Sequence, residues 1–164
     1  MVTIRKATLN DIKAITEIYN EAILNTTATF DTDIKTNKEQ KKWFENHGKN
    51  NPIIVAEYNG NIVGWAALSK YSTRCAYSNT AEISLYVRNQ NQGEGIGKKL
   101  MKSIIKKGEK TSLHAIIARI TDGNEKSIHL HKLVGFEYIG TMKQVGYKFG
   151  KLLNVCLMQK LYKE

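Results

Sequence analysis

No apolar run in the 164 residues approaches the roughly 20 needed to cross a bilayer. The opening Met1-Val2-Thr3-Ile4-Arg5 leads straight into patterned sequence, without the apolar core of a signal peptide. Cysteine is scarce. Cys75 and Cys156 make no disulfide framework, and Cys156 lies in Val155-Cys156-Leu157-Met158, where a buried free thiol is expected. Metal-ligand clusters are lacking too. His129 and His131 stand two apart in a helical pattern, hence on different faces, so no metal is expected. Linkers, repeats and low-complexity tracts are absent. Together these absences point to one domain over residues 1–164, in the cytoplasm. Acids are outnumbered, 15 against 25 lysines and arginines, for a net charge of +10. A basic chain invites a nucleic-acid reading. No helix-turn-helix, RNP or zinc-finger pattern supports it, and much of the charge falls on helix faces (Lys38, Lys41, Lys42; Lys98 to Lys110), where solvated lysines are ordinary.

What the chain does carry centres on residues 82–105. Glu82-Ile83-Ser84-Leu85-Tyr86-Val87 alternates and is rich in β-branched and aromatic residues, so it reads as a strand. Ile96, Leu100, Met101, Ile104 and Ile105 recur at helical spacing. Between strand and helix stand Gly93, Gly95 and Gly97. Glycine permits positive φ and close approach, so N–H groups can converge on an anion at the positive end of a helix. A phosphate cradle is therefore expected. A dinucleotide fingerprint would need glycine where Lys98 stands, and a Walker A loop would need Ser or Thr where Lys99 stands. The spacing that fits is Gln92-x-x-Gly95-x-Gly97.

The remaining chain alternates strands and helices. Thr3 to Arg5 reads as an edge strand, and Thr8-x-x-Asp11 as a helix start. Ile12, Ile15, Ile18, Tyr19, Ala22 and Ile23 form one helical face. A Thr-rich loop over 25–33 contains Phe30, and a second capping box, Thr36-x-x-Glu39, opens a helix with Trp43 and Phe44. Strands 53–58 and 62–68 flank Asn59-Gly60, a hairpin signal. After the polar loop 70–79 come the central strand, the helix, a strand at 114–120, a short helix at 124–134, and strands at 136–139 and 152–161, with 140–153 read as a long connection. This order argues for one mixed sheet covered by helices.

The glycine-loop spacing resembles the Q/R-x-x-G-x-G/A pyrophosphate loop of the GNAT N-acetyltransferases. Ile4-Arg5-Lys6-Ala7-Thr8 with Asp11, and Asn124 and Ser127 before Leu130-His131-Lys132-Leu133-Val134-Gly135-Phe136, resemble the superfamily's first and last segments. Ile18-Tyr19-Asn20-Glu21-Ala22, Thr26-Thr27-Ala28-Thr29-Phe30, Thr80-Ala81-Glu82-x-Ser84-Leu85-Tyr86-Val87 and Gln144-Val145-Gly146-Tyr147-Lys148-Phe149-Gly150 are similar to its phosphinothricin/methionine sulfoximine acetyltransferase branch. The likeness covers essentially the whole chain. It implies an α/β GNAT fold, a single mixed and mostly antiparallel sheet flanked by helices. It also implies acetyl-CoA as co-substrate, a small amine or amino acid as acceptor, and a homodimer.

The same resemblance implies site residues. Leu85, Tyr86 and Val87 would hold the pantetheine arm. Gln92, Gly93, Glu94, Gly95, Ile96, Gly97 and Lys98 would hold the pyrophosphate, with Asn124, Ser127 and Leu133 further along. Glu82 would be the general base, helped by partial burial on a central strand; on position alone it could equally be a rim carboxylate. His131 stands where many relatives carry a tyrosine acid, although a lone helical histidine is more often structural. The branch pattern departs over Tyr71 to Ser78. There Arg74, with Cys75, Ala76 and Tyr77, is the candidate clamp for an acceptor carboxylate, with Lys148 in reserve across a dimer. A peptide N-terminus, a lysine or a polyamine is the alternative acceptor.

Overall fold

The computed structural model describes residues 1–162. Its first strand, β1 (Thr3–Lys6), hands over to helix α1 (Ile12–Asn25) through a turn in which the Asp11 carboxylate accepts the Thr8 N–H at 2.8 Å. Arg5 fixes that corner. Its guanidinium forks onto Asp11 at 2.8 and 2.9 Å and reaches Glu57 at 2.8 Å. Helix α2 (Asn37–Glu45) starts on a reciprocal box: Thr36 Oγ1 accepts from Glu39 N, and Glu39 Oε2 accepts from Thr36 N at 2.7 Å. Strands β2 (Ile53–Tyr58) and β3 (Asn61–Lys70) form the expected hairpin, with Asn59 and Gly60 at φ 50° and 77°. Strand β4 (Thr80–Val87), helix α3 (Ile96–Gly108), strand β5 (Ala115–Thr121) and helix α4 (Glu125–Leu133) follow. The chain closes with β6 (Glu137–Lys148) and β7 (Lys151–Leu161).

The strands make one sheet in the order β1-β2-β3-β4-β5-β7-β6. All neighbours run antiparallel except β4 and β5. Alternation along β3 and β4 divides the core. Ala66, Leu68, Ala81 and Ile83 face α3, whose Ile96, Leu100, Met101, Ile104 and Ile105 are buried against them, with Ile128, Leu130 and Val134 of the α4 segment packed alongside. Ala67, Trp65 and Tyr86 face α1 and α2. Burial of one such Ile or Leu contributes about 1.5–3 kcal/mol, so the sheet holds both helical layers firmly.

The region that shapes the site is the parallel pair. β4 and β5 are in register only at Thr80↔Ala115, Ala81↔Ile116 and Glu82↔Ile117. Beyond Glu82 they part. β4 stays paired with β3 out to Val87, and β5 stays paired with β7 out to Thr121. Residues 83–87 therefore turn a strand edge toward an open wedge.

One expectation needs correction. The segment 140–153 is not a connection but the continuation of β6, a turn at Phe149-Gly150, and the start of β7. Register shifts between Tyr138 and Gly140 and between Met142 and Gly146 interrupt the two-residue period that marks a strand in sequence. Gly146 has a packing reason as well: a Cβ there would lie 2.2 Å from the Phe30 ring.

Candidate active site

The wedge between β4 and β5 is the floor of a cleft of about 980 Å³, at the upper end of the roughly 300–1,000 Å³ usual for small-molecule sites. At one end lies the start of α3. Gly93 and Gly95 are both left-handed, at φ 86° and 77°, and Gly95 is the N-cap. The first bond of the helix runs from Lys99 N to Gly95 O at 3.1 Å. The N–H groups of 96–98 therefore have no helical carbonyl to reach and stand at the positive end of a 13-residue helix. Gln92 ties the loop back to the strand, donating to Val87 O at 3.3 Å and Asn89 Oδ1 at 3.2 Å. Asn91, which lines the cleft, adds a buried side-chain oxygen with no protein partner.

A second helix start borders the cleft. Asn124 Oδ1 accepts from Ser127 N at 3.3 Å, capping α4. One turn on, His131 Nδ1 donates to Ser127 O at 2.7 Å, and its ring meets Phe136 edge-on at 5.0 Å. Burial pushes the His131 pKa down from its ordinary value, so the ring is held neutral with its proton committed to a carbonyl. That suits packing better than proton donation.

At the opposite end stand charged and phenolic side chains. Glu82 is the last β4 residue paired with β5, and both its oxygens are held by Arg119. Arg119 Nε donates to Oε1 at 2.8 Å and Nη2 to Oε2. This fork holds the Arg119 pKa above its ordinary value, through the side-chain hydrogen bond to Glu82 first. Tyr19 donates to Asp31 Oδ2 at 2.5 Å and lies 3.0 Å from Thr29 Oγ1. Burial pushes the Tyr19 and Tyr86 phenols up, so neither serves as a base. Tyr19, Asp31 and Ser84 are shared with a smaller pocket of about 290 Å³ backed by Lys35, Gln40, Trp43 and Trp65. The loop over 26–31 roofs this end as a strap. Lys148 Nζ donates to Thr29 O at 2.8 Å, Thr121 Oγ1 donates to Thr27 O, and Phe30 rests on Gly146.

Of the residues singled out in the sequence, Glu82, Leu85, Tyr86, Val87, Gln92, Gly93, Gly95, Ile96, Gly97, Asn124, Ser127 and His131 all line the cleft. Glu94 and Lys98 sit in the loop and first helical turn but outside the lining, and Leu133 is more than half exposed. Arg74, Cys75, Ala76 and Tyr77 are exposed on the loop before β4 and do not reach the lining. Lys148 is buried beneath the strap, 4% exposed, where desolvation lowers its pKa. Sequence reasoning missed Arg119, Tyr19 and Asp31. Arg119 did leave a signal: it is the only charged residue in Ala115–Thr121. Among the described residues no cluster of three or more His, Cys, Asp or Glu could hold a metal. Among the described residues no helix is long and apolar enough to cross a membrane.

The sequence model of a family described as "Acetyltransferase (GNAT) domain" matches residues 4–155. An L-methionine sulfoximine/L-methionine sulfone acetyltransferase of Pseudomonas aeruginosa is 36% identical over 159 residues, covering 96% of this chain and 92% of that one. A phosphinothricin N-acetyltransferase of Streptomyces coelicolor is 32% identical, covering 97% and 95%. Among solved structures, a GNAT-superfamily phosphinothricin acetyltransferase from Sinorhizobium meliloti, in complex with acetyl-CoA, superimposes with a TM-score of 0.93. It is 34% identical, with 98% of this chain and 88% of that one covered.

Proposed function

The chain belongs to the GNAT acetyltransferase family, and we propose that it moves an acetyl group from acetyl-CoA directly to the α-amine of a small amino-acid-like acceptor. The observation that carries this is the parting of β4 from β5 beyond Glu82, with a glycine-built helix start at the far end of the same cleft. When bound, acetyl-CoA supplies the activated thioester. The residues fit it. The open edge of β4 at 83–87 offers N–H and C=O groups to an amide chain, as one strand does to another. The N–H groups of 96–98 and the turns at Gly93 and Gly95 suit a pyrophosphate.

On the acceptor side Glu82 would take the proton from the amine, directly or through a water, as the N–C bond forms and the thioester C–S bond breaks, and the departing CoA thiolate would be protonated from water. The backbone N–H near Leu85 is the donor for the developing oxyanion. His131 remains a neutral packing residue near the cleft rather than the acid. Small amino acids are the favoured acceptors because the relatives in hand are named for them and because the Glu82 end carries both signs of charge. The test is to incubate the protein with acetyl-CoA and a panel of α-amino acids, methionine sulfone and phosphinothricin among them, alongside polyamines and peptides, and to read products by mass spectrometry. Acetylated amino acids are expected. Product only from polyamines or peptides overturns this reading.

The protein acts as a homodimer in the cytoplasm. Tyr138, Ile139, Val145, Tyr147, Phe149 and Leu152 are exposed on the β6–β7 hairpin at the sheet edge, a cluster that a second copy would cover. Both cysteines are free, which suits a reducing compartment. Light scattering at micromolar concentration is expected to give twice the 18.6 kDa chain mass, and Tyr147→Glu with Phe149→Glu to return it to one.

A further inference from the structure

We infer that Arg119 binds the acceptor's α-carboxylate and so sets the α-amine beside Glu82. The inference rests on the acetyl transfer proposed above. An α-amino acid presents one anion and one amine on neighbouring atoms. A site that selects it needs a cation beside its base, at the place where the open β4 edge begins.

Arg119 meets that requirement. It projects from β5 two residues beyond Ile117, the partner of Glu82, and so stands on the same face of the strand at the mouth of the wedge. It lines the cleft with a side chain 52% exposed. Its Nε and Nη2 already hold Glu82. A guanidinium has a second flat edge, formed by Nη1 and the other hydrogen of Nη2, and that edge suits a second carboxylate in the same plane. Glu82 keeps unused lone pairs while it is forked, so one arginine can join the base and the acceptor without displacing either.

Other cations serve this role less well. Lys126 also lines the cleft, but at the start of α4 beside Asn124 and Ser127. Lys148 Nζ is committed to Thr29 O beneath the strap. Lys35 lines the smaller pocket, 3.6 Å from Asp31. Arg74 is exposed on its loop. A carboxylate on Arg119 leaves the amine facing Glu82, the complement of a zwitterion.

The test compares kcat/KM for methionine sulfone and its carboxamide in wild type, Arg119→Ala, Arg119→Lys and Arg74→Ala. The wild type is expected to favour the acid by roughly 10- to 100-fold, the range for one charge-assisted contact. Arg119→Ala should bring that ratio near one. Arg119→Lys keeps the charge but loses the fork, and should leave an intermediate ratio. Arg74→Ala should keep the wild-type ratio. Acetyl-CoA binding by calorimetry, unchanged in each variant, shows that the fold is kept; if Arg119→Ala fails that check, the lysine variant decides. A ratio unmoved by either Arg119 change overturns the inference, as does a ratio lost in Arg74→Ala or a wild type that accepts both compounds equally. If the acetyl transfer itself is wrong, the wild type gives product from neither compound. That outcome differs from all the others and removes this inference; it removes the acetyl transfer as well when the polyamines and peptides of the panel also give no product.

Discussion

At the α3 end of the cleft the polar groups free of helical partners are backbone N–H groups of residues 96–98 behind left-handed turns at Gly93 and Gly95. At the Glu82 end they are side chains: Glu82 and Arg119 from two strands, with Tyr19 and Asp31 from α1 and the strap. The first end presents chiefly backbone groups, and its field comes from peptide dipoles. The second can be rewritten one residue at a time while the sheet beneath it stays fixed. A constant donor and a variable acceptor call for that division, and it places the selectivity of this chain at one end of one cleft.

The sharpest way to break the comparison is Glu82→Gln. It keeps shape and removes the basic carboxylate. Turnover near neutral pH should fall by about 10²–10⁴-fold, while acetyl-CoA affinity measured by calorimetry holds. A loss of cofactor affinity would mean that the two ends are not separable.

The converse change is Gly95→Val. No heavy atom lies within 4 Å of the Cβ site, so the cost comes from forcing a β-branched residue to φ 77°. The turn should reset and misdirect the N–H groups of the cradle. Losing one charge-assisted contact costs about 1.5–3 kcal/mol, so cofactor affinity should drop roughly 10- to 100-fold. Calorimetry decides, and equal affinity in wild type and variant would remove the cradle.

The smallest expected effect concerns His131. Burial lowers its pKa and that of His47 below the ordinary 6.5. The unfolded chain therefore takes up these protons first as pH falls. Stability is full above about 6.5 and declines below it, toward the folded values. The thermal midpoint should drop between pH 7 and pH 5, and His131→Asn should make that drop shallower while leaving turnover within a few-fold of wild type. A variant with an unchanged pH slope would show that the ring is not held neutral. A hundredfold loss of rate would restore it as an acid.

The same division explains what could be read from the sequence. The glycine-built helix start was legible because Gln92, Gly95 and Gly97 sit next to the helix they open, so spacing alone carries the geometry. Glu82 was legible as a strand carboxylate, but its partner lies 37 residues away and only the register of β4 with β5 brings the two together. Lys148 looked like a free cation for an acceptor; its bond to Thr29 spans 119 residues and no local pattern encodes it. The length of β6 was hidden by two register shifts, since the eye follows alternation and a bulge breaks it.

The strap continues α1 in the chain, and Tyr19 of that helix holds Asp31 and meets Thr29, but further anchors are on β5 and the hairpin. Lys148 holds Thr29, Thr121 holds Thr27, and Gly146 receives Phe30. In cooperative terms the strap belongs with the far edge of the sheet as well as with the helix it follows. Its protection against hydrogen exchange should rise and fall with that of β6. Whatever stiffens the hairpin then also slows the opening of the Glu82 end of the cleft.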